Sequence, residues 1–149
     1  MAITQAMATS FKVEILTAFH NFGTTATRAG TGADTFKIAL FTSSATLSAA
    51  TTAYSTSNEV SGTGYTAGGN TLTISQVPTS TSTTAWLDFA DSTWSTSTIT
   101  ANGALIYNST QSNRAVAVLA FGGDKTSTAG DFVIVFPAAD STNAIIRIA

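Results

Sequence analysis

The residues able to do chemistry are few and scattered. His20 is the single histidine, and there is no cysteine. One imidazole without thiolates leaves too few nitrogen or sulfur ligands for a zinc or copper site. His20 lies between Phe19 and Asn21, near the end of an expected helix, where it reads as a helix-end residue favoured by the dipole or packed beside Phe22. Asp88 and Asp91 are the closest pair of carboxylates, with Glu59, Asp124 and Asp131 elsewhere. Paired carboxylates are what glycoside hydrolysis needs. Asp88, however, alternates with Leu87 and Phe89, so it is expected to point away from the core, and Asp91-Ser92 is expected to begin a turn.

The remaining motifs are equally thin. Gly62-Thr63-Gly64-Tyr65 and Ala67-Gly68-Gly69-Asn70 look like phosphate loops but lack the Gly-Lys-Ser/Thr ending and open no helix. A bulge and a tight corner using positive φ are the better readings. Gly122-Gly123-Asp124 and Gly130-Asp131 offer oxygens for calcium without EF-hand spacing, and read as turns. There is no Gly-x-Ser-x-Gly elbow, and a Ser/His/Asp triad would have to use His20. Asn108-Ser109-Thr110 matches a glycosylation sequon. Trp86, Trp94 and Tyr107 suggest a sugar-stacking platform, with packing as the plainer role. No residue is assigned a catalytic, cofactor-binding or metal-binding role, and the expectation is a protein that is not an enzyme.

The elements available to position these residues are mostly strands. Charged residues are 9% of the chain, against roughly 25% in an average soluble protein, and Ser and Thr together make up nearly a third. Threonine fits a pleated, half-exposed surface and keeps it wetted without charge. Phe11, Ile15, Ala18, Phe19 and Phe22 recur at spacings of three and four, which predicts one helix over about residues 10–22. Ser10 would cap it, Glu14 would sit in its first turns and Gly23 would stop it. A Gly/Thr/Ala connection over residues 24–34 follows.

From residue 35 onward, β-type runs cover residues 35–42, 65–75, 84–90, 98–108, 114–121, 132–137 and 144–148, separated by turn-forming clusters. In the first, Phe36, Ile38 and Leu40 share one face. Residues 115–121 and 132–136 are apolar on both faces, which predicts a central position for each, joined by a loop over residues 122–131. Residues 43–64 read as a long surface excursion and a candidate contact arm. With no second helix to make crossovers, the expected architecture is all-β: one antiparallel β-sandwich domain over residues 1–149, jelly-roll-like or Ig-like, with one short N-terminal helix.

A net charge of −2 gives no basic stripe for phosphates, arguing against nucleic-acid binding. No apolar run approaches the roughly 20 residues of a membrane span, and the opening lacks a basic region followed by an apolar stretch. The expectation is synthesis in the cytoplasm with no membrane partner.

Taken in order, the runs DTFKIALFTSS (34–44), EVSGTGYTAGGNTLT (59–73), AWLDFADSTW (85–94), GALIYN (103–108) and AVLAFGGDKTSTAGDF (117–132) resemble a group of small structural proteins encoded among tailed-phage virion genes, of the decoration, cement or head-fibre-like type. The resemblance implies a β-sandwich subunit of the virion, made in the host cytoplasm, whose partners are the major capsid protein or other virion proteins. It carries no catalytic residue and no cofactor. Capsid decoration is favoured because no coiled-coil heptads or shaft repeats are present. A tail or baseplate location and a carbohydrate-binding module are the alternatives. A homo-oligomer is expected, a trimer being one way to hide residual sheet edges.

Overall fold

The computed structural model describes residues 2–16, 18–23 and 33–149. Its elements in chain order are β1 (Ala6–Met7), α1 (Thr9–Leu16), β2 (Phe36–Phe41), β3 (Asn70–Thr71), β4 (Ile74–Thr81), β5 (Thr84–Phe89), β6 (Ser92–Asn108), β7 (Arg114–Ile134) and β8 (Ile146–Ile148). One sheet has the order β1-β7-β6-β2-β3 and the other β4-β5-β8, and the two pack as a sandwich. Every strand pair within the two sheets is antiparallel. The all-β sandwich with one short N-terminal helix is thus the fold of the described residues.

The helix is shorter than its apolar spacing suggests. It begins at Thr9, because Ala8 N–H is held by the Val116 carbonyl and Thr9 N–H by the Ala49 carbonyl. Ser10 therefore lies inside the first turn and is not the cap; its buried Oγ has no hydrogen-bond partner. The helix is closed well before Gly23 by Ala18, which takes φ +55°. Phe19 N–H reaches the Glu14 carbonyl and Ala18 N–H the Ile15 carbonyl, the pair of bonds of a Schellman ending. Glu14 consequently falls in the last turns and not the first. Of the connection expected over residues 24–34, residues 24–32 lie outside the described residues.

β2 is the central fact of the core. Its apolar residues are all buried, on both faces, between β6 and β3. On one face Phe36 stacks on Phe22 at 4.1 Å and meets Phe89 of the small sheet at 6.2 Å. On the other, Phe41 meets Tyr54 at 6.5 Å. The segment over residues 43–64, expected as a surface excursion, is therefore a cover. Ala45, Leu47 and Val60 are buried in it, and it bridges to the sheet at Phe41–Glu59, Ala53–Arg114 and Thr63–Thr98.

The residues expected to form a loop over 122–131 belong instead to β7, which runs unbroken beside β6 as a long ribbon. The polar run holds because hydroxyls meet across the ladder: Ser97 and Ser127 at 2.7 Å, Thr100 and Thr126 at 2.9 Å. Between the pairs Ala101–Lys125 and Gly103–Ala120, one residue of β6 faces four of β7. Gly122 (φ +73°) and Gly123 (φ +150°) absorb the surplus as a bulge. Residues 132–136 are not central either: Phe132 and Phe136 are buried, but Val133 is 44% and Val135 71% exposed.

Gly69 is where the fold tolerates no side chain. It takes φ +67°, and a Cβ there would lie 1.9 Å from the Ile38 carbonyl oxygen, at the point where β3 joins β2. Gly69→Ala combines backbone strain with a clash against main chain, and its expected cost is about 3 kcal/mol. A shift of the chemical-denaturation midpoint checks it, and Gly122→Ala, whose Cβ meets nothing within 4 Å, is expected to cost clearly less.

Candidate functional site

The most concentrated polar chemistry is internal, where α1, residues 19–23 and the tip of the β6–β7 hairpin meet. His20 lies beyond the helix, and its side chain is fully buried. Its Nε2–H donates to Glu14 Oε2 at 2.6 Å, and its Nδ1 accepts from Asn108 Nδ2 at 3.1 Å. This fixes one neutral tautomer, because Asn108 Nδ2 also donates to Asp34 Oδ2 at 2.8 Å, and Asn108 Oδ1 accepts from Thr110 N–H and Gln111 N–H. Arg114 donates to Glu14 Oε1 at 2.6 Å and lies over the Phe19 ring at 4.8 Å. The sequon asparagine is thus the centre of a buried network and is itself fully buried.

Burial holds the His20 pKa below its ordinary 6.5, outweighing the opposing pull of Glu14. A second proton would also set an N–H at Nδ1 against the Asn108 amide donor. With both ring nitrogens engaged, the imidazole does not face solvent.

A second cluster fastens residues 54–69 over β2. Glu59 accepts from Tyr54 Oη, Tyr65 Oη and Gly68 N–H, each at 2.7 Å. Tyr65 Oη accepts from Leu40 N–H at 2.9 Å, so a phenol takes the place of a backbone carbonyl beside the Phe41–Glu59 bridge of β2. Tyr107 Oη donates to the Gly68 carbonyl at 2.7 Å, and the Tyr54 and Tyr107 rings stack at 4.5 Å. Burial and the Glu59 carboxylate push the Tyr54 and Tyr65 phenols above their usual range, and Tyr107 is raised to about 12. Gly62, Gly64, Gly68 and Gly69 all take positive φ, in keeping with bulge and corner roles.

Asp88 departs from expectation: it is 1% exposed. β5 is the middle strand of the small sheet, and the chain approaching β8 closes over the face opposite Leu87. Asp88 Oδ1 accepts from Phe89 N–H at 2.8 Å, while Oδ2 has no partner. Burial first, and then Asp91 and Asp140 nearby, raise its pKa. Asp91 begins no isolated turn; its Oδ1 accepts from Phe136 N–H at 2.9 Å. Trp94 (3% exposed) and Tyr107 (2%) are buried, so they make no exposed platform with the half-buried Trp86. Trp86 instead lines an apolar cavity of about 160 Å³ with Phe11, Phe22 and Pro78.

Among the described residues no three His, Cys, Asp or Glu side chains gather as a metal site, and no helix is long and apolar enough to cross a membrane. What the surface does present is a groove between β7 and the chain leading to β8, lined by Phe121, Phe132, Ile134, Val135 and Ile145, with Lys125 and Asp131 beside it. Its signal in the sequence is the unbroken apolar run 132–136, which also describes a buried strand. No family model, no curated protein and no solved structure matches this chain.

Two titrations follow from these geometries. His20 takes up its proton at a lower pH when folded than when unfolded. Its contribution is complete above about pH 6.5 and is lost as pH falls from there toward the lower folded-state value. Denaturation at about pH 7.5 and about pH 5 is expected to show this loss in the wild type and a smaller one in His20→Gln. Asp88 behaves oppositely: its contribution is present in acid and is lost as pH rises through its ordinary 3.8 toward the higher folded value. Asp88→Asn is therefore expected to be at least as stable as the wild type at neutral pH, measured by the same midpoints.

Proposed function

We propose that this chain is a non-enzymatic structural protein of a tailed-phage virion, a decoration or cement subunit bound to the outer surface of the head lattice. The observation that carries the reading is the ordered series of segments resembling such proteins, running from residue 34 to residue 132. Those segments make up β2, most of β5, and large parts of β6 and β7, so the resemblance follows the framework of the sandwich and not one surface loop.

The chemistry of the fold supports a role in assembly. His20, Glu14, Asp34 and Glu59 are committed to holding the chain together. The exposed ribbon is rich in hydroxyls and poor in charge, suited to many modest contacts that a repeating lattice multiplies into firm attachment. The buried Trp94 and Tyr107 take support from the carbohydrate-binding alternative. The described residues form a two-sheet sandwich without a shaft, which favours the head over a fibre. The partners on this reading are the major capsid protein or other virion proteins.

Mass spectrometry of purified particles of the encoding phage is expected to find the chain in many copies, with cryo-EM density on the head. Its absence from particles would refute the proposal, and density on the tail would refute the decoration role.

A further inference from the structure

We infer that His20 is an acid-sensitive latch: a second proton on its ring unseats α1 and residues 19–23 from the tip of the β6–β7 hairpin while both sheets stay folded. The partner that faces His20 Nδ1 cannot turn to receive that proton. Asn108 presents Nδ2 to His20 Nδ1 at 3.1 Å and to Asp34 Oδ2 at 2.8 Å, while its Oδ1 accepts from the N–H groups of Thr110 and Gln111. Flipping the amide would set its N–H groups against those two backbone donors and turn an oxygen toward the Asp34 carboxylate. A proton arriving at Nδ1 therefore meets a fixed donor.

The rest of the pocket offers no easy alternative. The His20 side chain is fully buried, and the rings of Phe11, Phe19, Phe22 and Phe36 surround it at centroid distances from 4.9 to 6.4 Å. Among the described residues the charged groups facing it are Glu14 from α1, Asp34 from the segment ahead of β2, and Arg114 from β7. Glu14 already holds Nε2, and Asp34 Oδ2 is engaged by Asn108 Nδ2 and by Asn21 N–H. Burial, the largest influence, and Arg114 oppose a second proton, and the two carboxylates favour it. An imidazolium is accommodated by carrying the ring to water.

The part that moves is the part that carries the ring. The hairpin tip closes the longest ladder of the molecule, from Asn108–Arg114 to Ser92–Ile134. The backbone ties of the helical segment to the sheets are fewer: Ala8 N–H to the Val116 carbonyl, Thr9 N–H to the Ala49 carbonyl, and Asp34 N–H to the Asn21 carbonyl. A segment so held opens at a lower cost than the whole fold. Its departure lifts Phe22 off Phe36, on which it stacks at 4.1 Å, and bares that face of Phe36 beside Phe89. The ring has its ordinary pKa of 6.5 once in water and a lower one in place, so opening is favoured as pH falls below about 6.5.

The latch needs no partner, so its test is independent of any location in a virion. Amide hydrogen exchange on the full chain, corrected for the intrinsic rate at each pH, is expected to show protection of Asn21 and Asp34 falling about tenfold between about pH 7.5 and about pH 5. Protection along the β6–β7 ladder is expected to hold, and binding of an apolar dye to rise over the same interval. His20→Gln is expected to abolish both changes. Because His20 is the single histidine, its ring nitrogen resonances also report the wild type directly: the Nε2–H tautomer at about pH 7.5, and imidazolium only together with lost Asn21 protection. Unchanged protection at Asn21 and Asp34, loss shared equally by the ladder, an imidazolium formed with the segment still protected, or the same pH response in a folded His20→Gln would each overturn the inference.

Discussion

The fold depends on burying β2 and its partner stretch of β6 on both faces. A strand such as FKIALF, with apolar side chains pointing both ways, has to be covered twice. The small sheet and Phe22 supply one cover, and residues 43–69 supply the other. A five-stranded sheet with one hydrophobic face would need only the first. The second cover is made from irregular chain, which brings few apolar side chains of its own and has to be fastened by polar groups.

That requirement explains where the charged residues go. Glu59 holds the second cover through two phenols and a backbone amide. Glu14 and Asp34 hold the helix and residues 19–23 against the hairpin tip through His20, Asn108 and Arg114. Charge-assisted hydrogen bonds are among the stronger polar contacts a fold can make, and buried ones cost heavily when broken. In a chain with only eight acidic residues, turning four of them inward, Glu14, Asp34, Glu59 and Asp88, leaves an outer surface governed by hydroxyls and a few apolar side chains.

Much of the strand framework was legible in the sequence, because Phe36, Ile38 and Leu40, or Leu87 and Phe89, alternate in the way a half-buried sheet demands. The departures have physical causes. Ala18 closes the helix in a left-handed conformation usually given to glycine, so nothing in its residue type announced the end. Residues 122–131 carry turn-forming residues, yet they pair as strand because their hydroxyls meet the hydroxyls of β6. Asp88 alternates outward correctly, but a later segment of chain closes over that face, a tertiary event that local pattern does not record. The His20 network joins residues 14, 20, 34, 108 and 114, a grouping that no spacing in the sequence reveals.

The continuous β6–β7 ribbon also bears on how the chain reaches this state. Asn108 and Arg114 face each other across a short connection, so the longest ladder in the molecule closes with little loss of chain entropy. Phe36, by contrast, finds Asn108 only across everything between them, and Ala85 finds Ile148 across the whole hairpin. Local pairings are reached faster than distant ones. The ribbon is the natural first structure, a template onto which β2, the small sheet and the irregular cover are added. During that interval both of its edges are open, and the glycine bulge at 122–123 keeps the outer one from offering neighbouring nascent chains a long, straight ladder.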